Sequence, residues 1–169
     1  MVPHSQNVAY SDGGSQVLWE DGERVFRRGW QLDDEGKPRA VLLVAPAADY
    51  PSRSYLDRLT HEYELKDELD RTWAVRPLDL VRDTGRTMLV LEDEGGEPVD
   101  RLLGVPMEVG RFLRLAIAVT SAVSKLHQRG LVHKDIKPAN ILLNEATGAR
   151  ARSARRSRTR SAAPRRSPC

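Results

Sequence analysis

The chain contains 169 residues, of which 40% are hydrophobic and 30% charged, and this length fits one domain. Its one cysteine, Cys169, excludes an internal disulfide framework. The opening MVPHSQNVAY lacks the basic-then-apolar order of a secretory signal, and no segment approaches the roughly 18 apolar residues of a membrane span. These features predict an intracellular, cytoplasmic protein without a membrane partner.

Charge is distributed unevenly along the chain. Residues 150–169 contain eight of the 27 Lys and Arg residues and no acidic residue, so residues 1–149 hold 19 basic against 24 acidic side chains. Many like charges without apolar periodicity predict a disordered, Arg-rich tail over residues 149–169. Three interpretations of this tail remain open: a nucleic-acid or membrane-surface arm that displaces phosphate counterions, a solvated tail without a function, or an out-of-frame end.

Residues 1–14 are expected to form a flexible N-terminal segment, and three strands are predicted after it. Residues 16–19 and 24–30 flank a turn at 20–22 and predict a β-hairpin, and the apolar run RAVLLVA at 39–45 predicts a third strand.

A helix and two more strands are predicted next. Residues 52–71 indicate a helix with Ser52 or Ser54 as its N-cap. The apolar positions at helical spacing are Leu56, Leu59, Tyr63, Leu65 and Leu69. Residues 73–82 and 86–92 then predict two strands, before the Gly-containing segment EDEGGEPVD at 92–100.

A second helix precedes the most informative segment. Residues 112–127 carry an apolar stripe that ends at Gly130, a residue suited to a helix C-terminal cap. Residues 131–144 then read LVHKDIKPANILLN, with His133, Asp135, Lys137 and Asn140 at fixed spacing. The plain alternative is a turn between a helix and a short apolar strand, in which His133 and Asp135 are ordinary polar residues.

This spacing resembles the catalytic loop of the eukaryotic-type serine/threonine protein kinases. The resemblance implies ATP and Mg²⁺ as cofactors and a hydroxyl of a protein substrate as acceptor. It makes Asp135, Lys137 and Asn140 the catalytic residues. Asp135 would orient or accept the hydroxyl proton, Lys137 would face the transferring phosphate, and Asn140 would hold the metal through its amide oxygen. A lysine at position 137 also favours a Ser/Thr-type enzyme over a tyrosine kinase.

The same resemblance implies an α+β fold with two lobes. Residues 15–92 would form a β-rich small lobe with one helix, αC, and residues 93–148 the hinge and a truncated start of the large lobe. Glu62 stands where the αC glutamate is expected, and backbone groups near Glu92 and Glu94 would contact adenine. About residues 49–148 also resemble the N-terminal kinase module of large bacterial sensor proteins that contain ATPase and histidine-kinase regions.

The sequence also departs from the kinase pattern. The expected glycine loop reads LWEDGERV, with Gly22 alone, and the third strand has no lysine to pair with Glu62. Lys134 replaces the usual arginine, which weakens control through a phosphorylated loop. Residues 153–156 read Ser-Ala-Arg-Arg, where the magnesium-binding Asp-Phe-Gly is expected.

Three functions follow as predictions. The first is a Ser/Thr protein kinase domain that is truncated before the Asp-Phe-Gly segment and inactive as this chain. The second is a pseudokinase-like module that binds a regulatory protein partner, favoured by the missing lysine and glycines. The third is nucleic-acid binding, which depends on the basic tail alone.

Overall fold

The computed structural model describes residues 16–33, 35–82, 86–93 and 95–144, together with the backbone of 83, 148–151 and 155–156. The predicted N-terminal segment 1–14, Glu94 and most of the predicted tail lie outside the described residues.

The small lobe is built on an antiparallel sheet in the order β1-β2-β3-β5-β4. Apolar residues of β2, β3 and β5 pair across the centre of this sheet, with Phe26 opposite Val44 and Leu42 opposite Leu91. Cross-strand pairs of this kind stabilise a sheet through one buried face. The five strands are β1 (Gln16–Glu20), β2 (Arg24–Leu32), β3 (Pro38–Pro46), β4 (Pro77–Asp83) and β5 (Arg86–Glu92).

Helix α1 (Arg53–Glu64) packs against the sheet. It begins at Ser52, whose hydroxyl accepts a hydrogen bond from the Tyr55 N–H at 3.2 Å, as an N-cap residue does. The predicted helix to residue 71 is too long, because the chain continues from Leu65 as a series of turns. Leu65 and Leu69 leave the helix to join a second apolar cluster, which explains why apolar spacing alone overestimated its length.

Gly96 lies where the chain passes from the small lobe to the large lobe. Gly96 has φ +100°, and a Cβ atom there would lie 2.8 Å from the Leu143 carbonyl oxygen, so only glycine fits. The segment that follows contains β6 (Glu97–Pro98), a 3₁₀ turn (Val99–Leu102) and helix α2 (Val109–Gln128). Helix α2 extends the predicted 112–127, because the Glu108 carboxylate caps it by accepting from the N–H groups of Gly110 and Arg111.

Short strands surround the catalytic-loop sequence. They are β7 (Leu131–Val132), β8 (Ile141–Asn144), β9 (Gly148–Ala151) and β10 (Arg155–Arg156). Strand β8 lies between β6 and β9, and β10 pairs with β7. The prediction of disorder from residue 149 onward is therefore wrong for the backbone of β9 and β10. The apolar strand β8 offers an unpaired edge, and the following backbone pairs with it, with Leu142 opposite Arg150.

Two of the four apolar clusters in the described residues connect elements that lie far apart in sequence. The first lies between the sheet and α1 and also includes Leu142 of β8, so it crosses from one lobe to the other. The second joins α2 to the turns after α1 and contains Trp73, Leu126 and Leu131. Within the residues that the structure describes, no helix is long and apolar enough to cross a membrane.

We predict that Leu126→Ala destabilises the chain by about 2–5 kcal/mol, because it leaves a cavity in a filled core. Leu126 is 0% exposed, whereas Ile117 on the same helix is 69% exposed. Ile117→Ala should therefore change the free energy of unfolding by less than about 0.5 kcal/mol. Urea-induced unfolding measures both, and equal effects of the two substitutions would contradict the assigned core.

Candidate active site

The loop between β7 and β8 fixes the positions of its polar residues. Lys134 adopts φ 60° in the left-handed region, which turns the chain sharply after the buried His133. Pro138 begins the 3₁₀ turn Pro138–Asn140, where its fixed φ suits a first helical position. The loop therefore brings together the three side chains that the sequence predicted: Asp135, Lys137 and Asn140.

Asn140 is the centre of this arrangement and is completely buried. Its amide Nδ2 donates to the Asp135 backbone oxygen at 2.9 Å and to the Asp135 carboxylate at 2.8 Å. Its Oδ1 accepts from the Nη2 atom of Arg24 at 3.3 Å. These bonds fix the amide orientation and hold the Asp135 carboxylate in place.

Asp135 is a carboxylate held beside a cation. Its Oδ2 lies 3.3 Å from Lys137 Nζ. Burial pushes the pKa of the Asp135 carboxyl upward, but Lys137, Asn140 and Arg24 together outweigh burial and lower that pKa below its ordinary value. Asp135 is therefore ionised at neutral pH and able to accept a proton.

Arg24 is a site residue that the sequence analysis missed. It begins β2, immediately after the turn that replaces the glycine loop, and its guanidinium bonds Asp21 at 2.9 Å. The same guanidinium lies 5.5 Å from the centroid of the Phe26 ring. The only sequence signal for Arg24 was a charged residue within a segment expected to be rich in glycine.

A second contact between the lobes is the hydrogen bond that the Arg101 guanidinium donates to the Leu18 carbonyl.

The third strand provides no cation to the cavity. Its one basic residue, Arg39, is exposed and donates to Gln31 Oε1 at 3.2 Å. Leu42 and Val44 of β3 are buried in the apolar cluster, and Lys37 lies before the strand, exposed and paired with Glu35 at 2.7 Å. Glu62 of α1 is buried at the side of the site. Tyr55 of the same helix is also buried, which raises the pKa of its phenol to about 12, so Tyr55 is neutral at physiological pH.

Glu92, one of the two predicted adenine contacts, lies at the end of β5. The Glu92 N–H donates to the Arg76 carbonyl at 2.9 Å, and the Glu92 carboxylate lies 3.7 Å from the Arg76 guanidinium. The Glu92 side chain is therefore engaged by Arg76. The next residue, Asp93, accepts from Arg28 Nε at 2.5 Å and from the Gly95 N–H at 2.9 Å, which fixes the hinge. Glu94, the other predicted contact, lies outside the described residues.

A cavity of about 430 Å³ opens between α1, the β1–β2 turn and the catalytic loop. This volume is within the range of small-molecule sites, roughly 300–1,000 Å³. Four cationic and four carboxylate side chains line it, and a phosphate group is the kind of anion that such cations bind. Its charged lining residues are Asp21, Glu23, Arg24, Arg58, Glu62, Lys134, Asp135 and Lys137.

The described residues do not fit a magnesium ion at Asn140. Magnesium requires oxygen ligands at roughly 2.0–2.1 Å, and the Asn140 Oδ1 atom already accepts from the Arg24 cation. Across residues 16–33, 35–82, 86–93 and 95–144, no group of three or more His, Cys, Asp or Glu side chains is placed to hold a metal.

The fold and the site together define the class. A β-rich lobe with one helix, a fixed hinge and a second lobe carrying an Asp-x-Lys-x-x-Asn loop form part of the two-lobed protein-kinase fold. A model of the protein kinase domain matches residues 34–151, more than half of the chain, and the chain belongs to this family. The predicted α+β, two-lobed architecture is confirmed.

Serine/threonine kinases are among the similar proteins. PknJ of Mycobacterium tuberculosis is 30% identical over 113 residues, which cover 66% of this chain and 19% of PknJ. The kinase pkn3 of Myxococcus xanthus is 28% identical over 143 residues, or 82% of this chain and 25% of pkn3. A probable myosin light chain kinase of Dictyostelium discoideum is 26% identical over 141 residues, or 78% of this chain and 35% of that protein. The chain thus spans only about a fifth to a third of these relatives.

We predict that Lys137→Met raises the pKa of Asp135, because Lys137 contributes the largest lowering effect on that carboxyl. A carboxyl-carbon NMR titration measures the shift. An acid limb of activity that depends on ionised Asp135 would move to higher pH with it, since protonated Asp135 cannot accept a proton. Lys66→Met is the control, because Lys66 contacts Tyr63 instead. An unchanged Asp135 pKa in Lys137→Met would contradict the ion pair.

Proposed function

We propose that this domain catalyses phosphoryl transfer from ATP to serine or threonine hydroxyls of a protein substrate. The observation that supports this most is the catalytic loop: Asp135, Lys137 and Asn140 converge, and Asp135 is held ionised by its neighbours. Phosphoryl transfer requires little besides positioning and charge neutralisation, and this loop can provide both. We further propose that the domain acts in the cytoplasm.

Each loop residue has a distinct role in this proposal. Asp135 orients the attacking hydroxyl and accepts its proton. Asn140 holds Asp135 in the required orientation through two hydrogen bonds. The Lys137 ammonium, 3.3 Å from Asp135, neutralises negative charge on the transferring phosphate. Bound ATP supplies the phosphoryl group.

The nucleotide would bind from the hinge to the charged cavity. We propose that backbone groups near Glu92 and Glu94 contact adenine, with Lys137 and Asn140 at the phosphate end. Protein kinases in general transfer phosphate with ATP and Mg²⁺. The predicted metal role of Asn140 remains a prediction that its bond to Arg24 does not favour.

The apolar packing of β1, β2 and β3 favours a second candidate function, a pseudokinase-like regulatory module. Trp19 of β1 stacks on Phe26, with ring centroids 4.8 Å apart, and both belong to the buried cluster that includes Leu42, Val44 and Leu142. Large apolar side chains thus fill the space between β1, β3 and β8, and their packing leaves β3 without a group at the cavity that could bind phosphate. In this candidate the domain binds a regulatory protein partner without phosphoryl transfer. No feature of the described residues favours nucleic-acid binding.

A radiolabelled phosphate assay distinguishes these candidates. We expect the 169-residue chain alone to be inactive, because residues 153–156 lack the Asp-Phe-Gly aspartate. With a kinase large lobe restored after residue 151, we expect transfer to Ser and Thr that Asp135→Asn reduces by at least about a hundredfold. Asp67→Asn, an exposed position beyond α1, should leave the rate unchanged.

Two results would contradict the kinase proposal. Absence of transfer by the restored domain, despite correct folding, would favour the pseudokinase-like module. Transfer that survives Asp135→Asn would show that another group, or a contaminating kinase, carries the reaction.

A further inference from the structure

The oxygen of Asn140 that a metal ion would use is engaged by a side chain of the other lobe. Arg24 lies 116 positions from Asn140 in sequence, and its Nη2 donates to Asn140 Oδ1 at 3.3 Å. The Asn140 amide cannot rotate to free this oxygen, because its Nδ2 is fixed by the two bonds to Asp135. The Arg24 guanidinium therefore donates to an acceptor atom, Asn140 Oδ1, whose position is already fixed.

Arg24 is itself firmly held. Its side chain is 14% exposed and that of Asp21 is 5% exposed, and the pair is joined through both Nε and Nη2 of the guanidinium. The Arg24 N–H also donates to Asp21 Oδ1 at 2.9 Å, so backbone and side chain share one anchor. The guanidinium position follows from local geometry and not from a flexible surface contact.

A second cation at this oxygen is unfavourable. A divalent ion bound to Asn140 Oδ1 would lie within a few ångströms of the Arg24 guanidinium, in a partly buried region where like charges repel strongly. The candidate ligands nearby are engaged by other cations: Asp21 by Arg24, and Asp135 by Lys137. Positive charge is therefore present where a metal ion would be expected, but Arg24 and Lys137 supply it.

We propose that the Arg24 guanidinium takes the place of a divalent cation at Asn140, so that this site excludes the metal. Its ligand would be the phosphate groups of a nucleoside triphosphate bound without a divalent ion. Arg24 and Lys137 both line the cavity and would contact the phosphates directly. The nucleotide part of this inference rests on the proposed function, whereas the exclusion of metal does not.

Mn²⁺, monitored by electron paramagnetic resonance, tests the exclusion directly. We expect no saturable Mn²⁺ binding at this position in the wild-type chain. Arg24→Ala should create such a site from the freed oxygens of Asp21 and Asn140, and adding Asn140→Ala should remove it again. Arg58→Ala is the matched control, because Arg58 lines the same cavity but pairs with Glu23, and it should create no site.

Either of two results would overturn the proposal: wild-type Mn²⁺ binding that Asn140→Ala abolishes, or no gain of binding in a folded Arg24→Ala variant. If circular dichroism shows that Arg24→Ala does not fold, Arg24→Gln replaces it, since glutamine removes the charge but retains a polar side chain. The wild-type measurement alone can still contradict the proposal.

A fluorescent ATP analogue provides the second arm. The wild-type chain should bind it with the same affinity in EDTA as in Mg²⁺, and Arg24→Ala should weaken binding in EDTA by at least about tenfold, the loss expected for one charge-assisted contact. Binding that requires Mg²⁺ in the wild type would overturn the proposal. Absence of nucleotide binding in either condition would contradict the nucleotide role of the site, while the Mn²⁺ arm would still decide the role of Arg24.

Discussion

The buried amide of Asn140 is the interaction on which the site depends. Its Nδ2 donates to the Asp135 carboxylate and orients it, and its Oδ1 accepts a hydrogen bond from Arg24 of the opposite lobe. One completely buried side chain thus connects the catalytic loop to the β1–β2 turn. A buried amide left without these partners would be costly, so the loop and the turn stabilise each other's positions.

Arg24 explains how a site with a complete catalytic loop can lack the third-strand lysine and the glycine loop. The catalytic loop retains its acid, its lysine and its asparagine, whereas β3 carries Val44 and Leu42, and the turn before β2 has one glycine. Positive charge that a kinase of the usual pattern takes from the third strand and from metal is here supplied by β2. The chain therefore keeps the electrostatics of a phosphate site with a different set of residues.

Sequence reasoning succeeded where the partners are close along the chain. The segment 131–144 contains Asp135, Lys137 and Asn140, and the structure brings these side chains together as their spacing predicted. Their catalytic roles remain predictions. The Arg24–Asn140 contact spans 116 positions and depends on the packing of two lobes, which no local pattern encodes. The end of α1 was missed for a related reason, because Leu65 and Leu69 continue the helical spacing but face a different cluster. Strand β9 was missed because backbone pairing with β8, not side-chain pattern, sets it.

The Arg24–Asn140 hydrogen bond should couple the two lobes energetically. A double-mutant cycle tests it most directly, with the free energy of urea-induced unfolding measured for the wild type, Arg24→Ala, Asn140→Ala and the double variant. The cycle cancels the separate bonds of Arg24 to Asp21 and of Asn140 to Asp135. We predict a coupling free energy of about 0.5–3 kcal/mol, the range for residues in one hydrogen-bonded network. Strictly additive effects, with no coupling beyond experimental error, would show that this contact does not link the lobes.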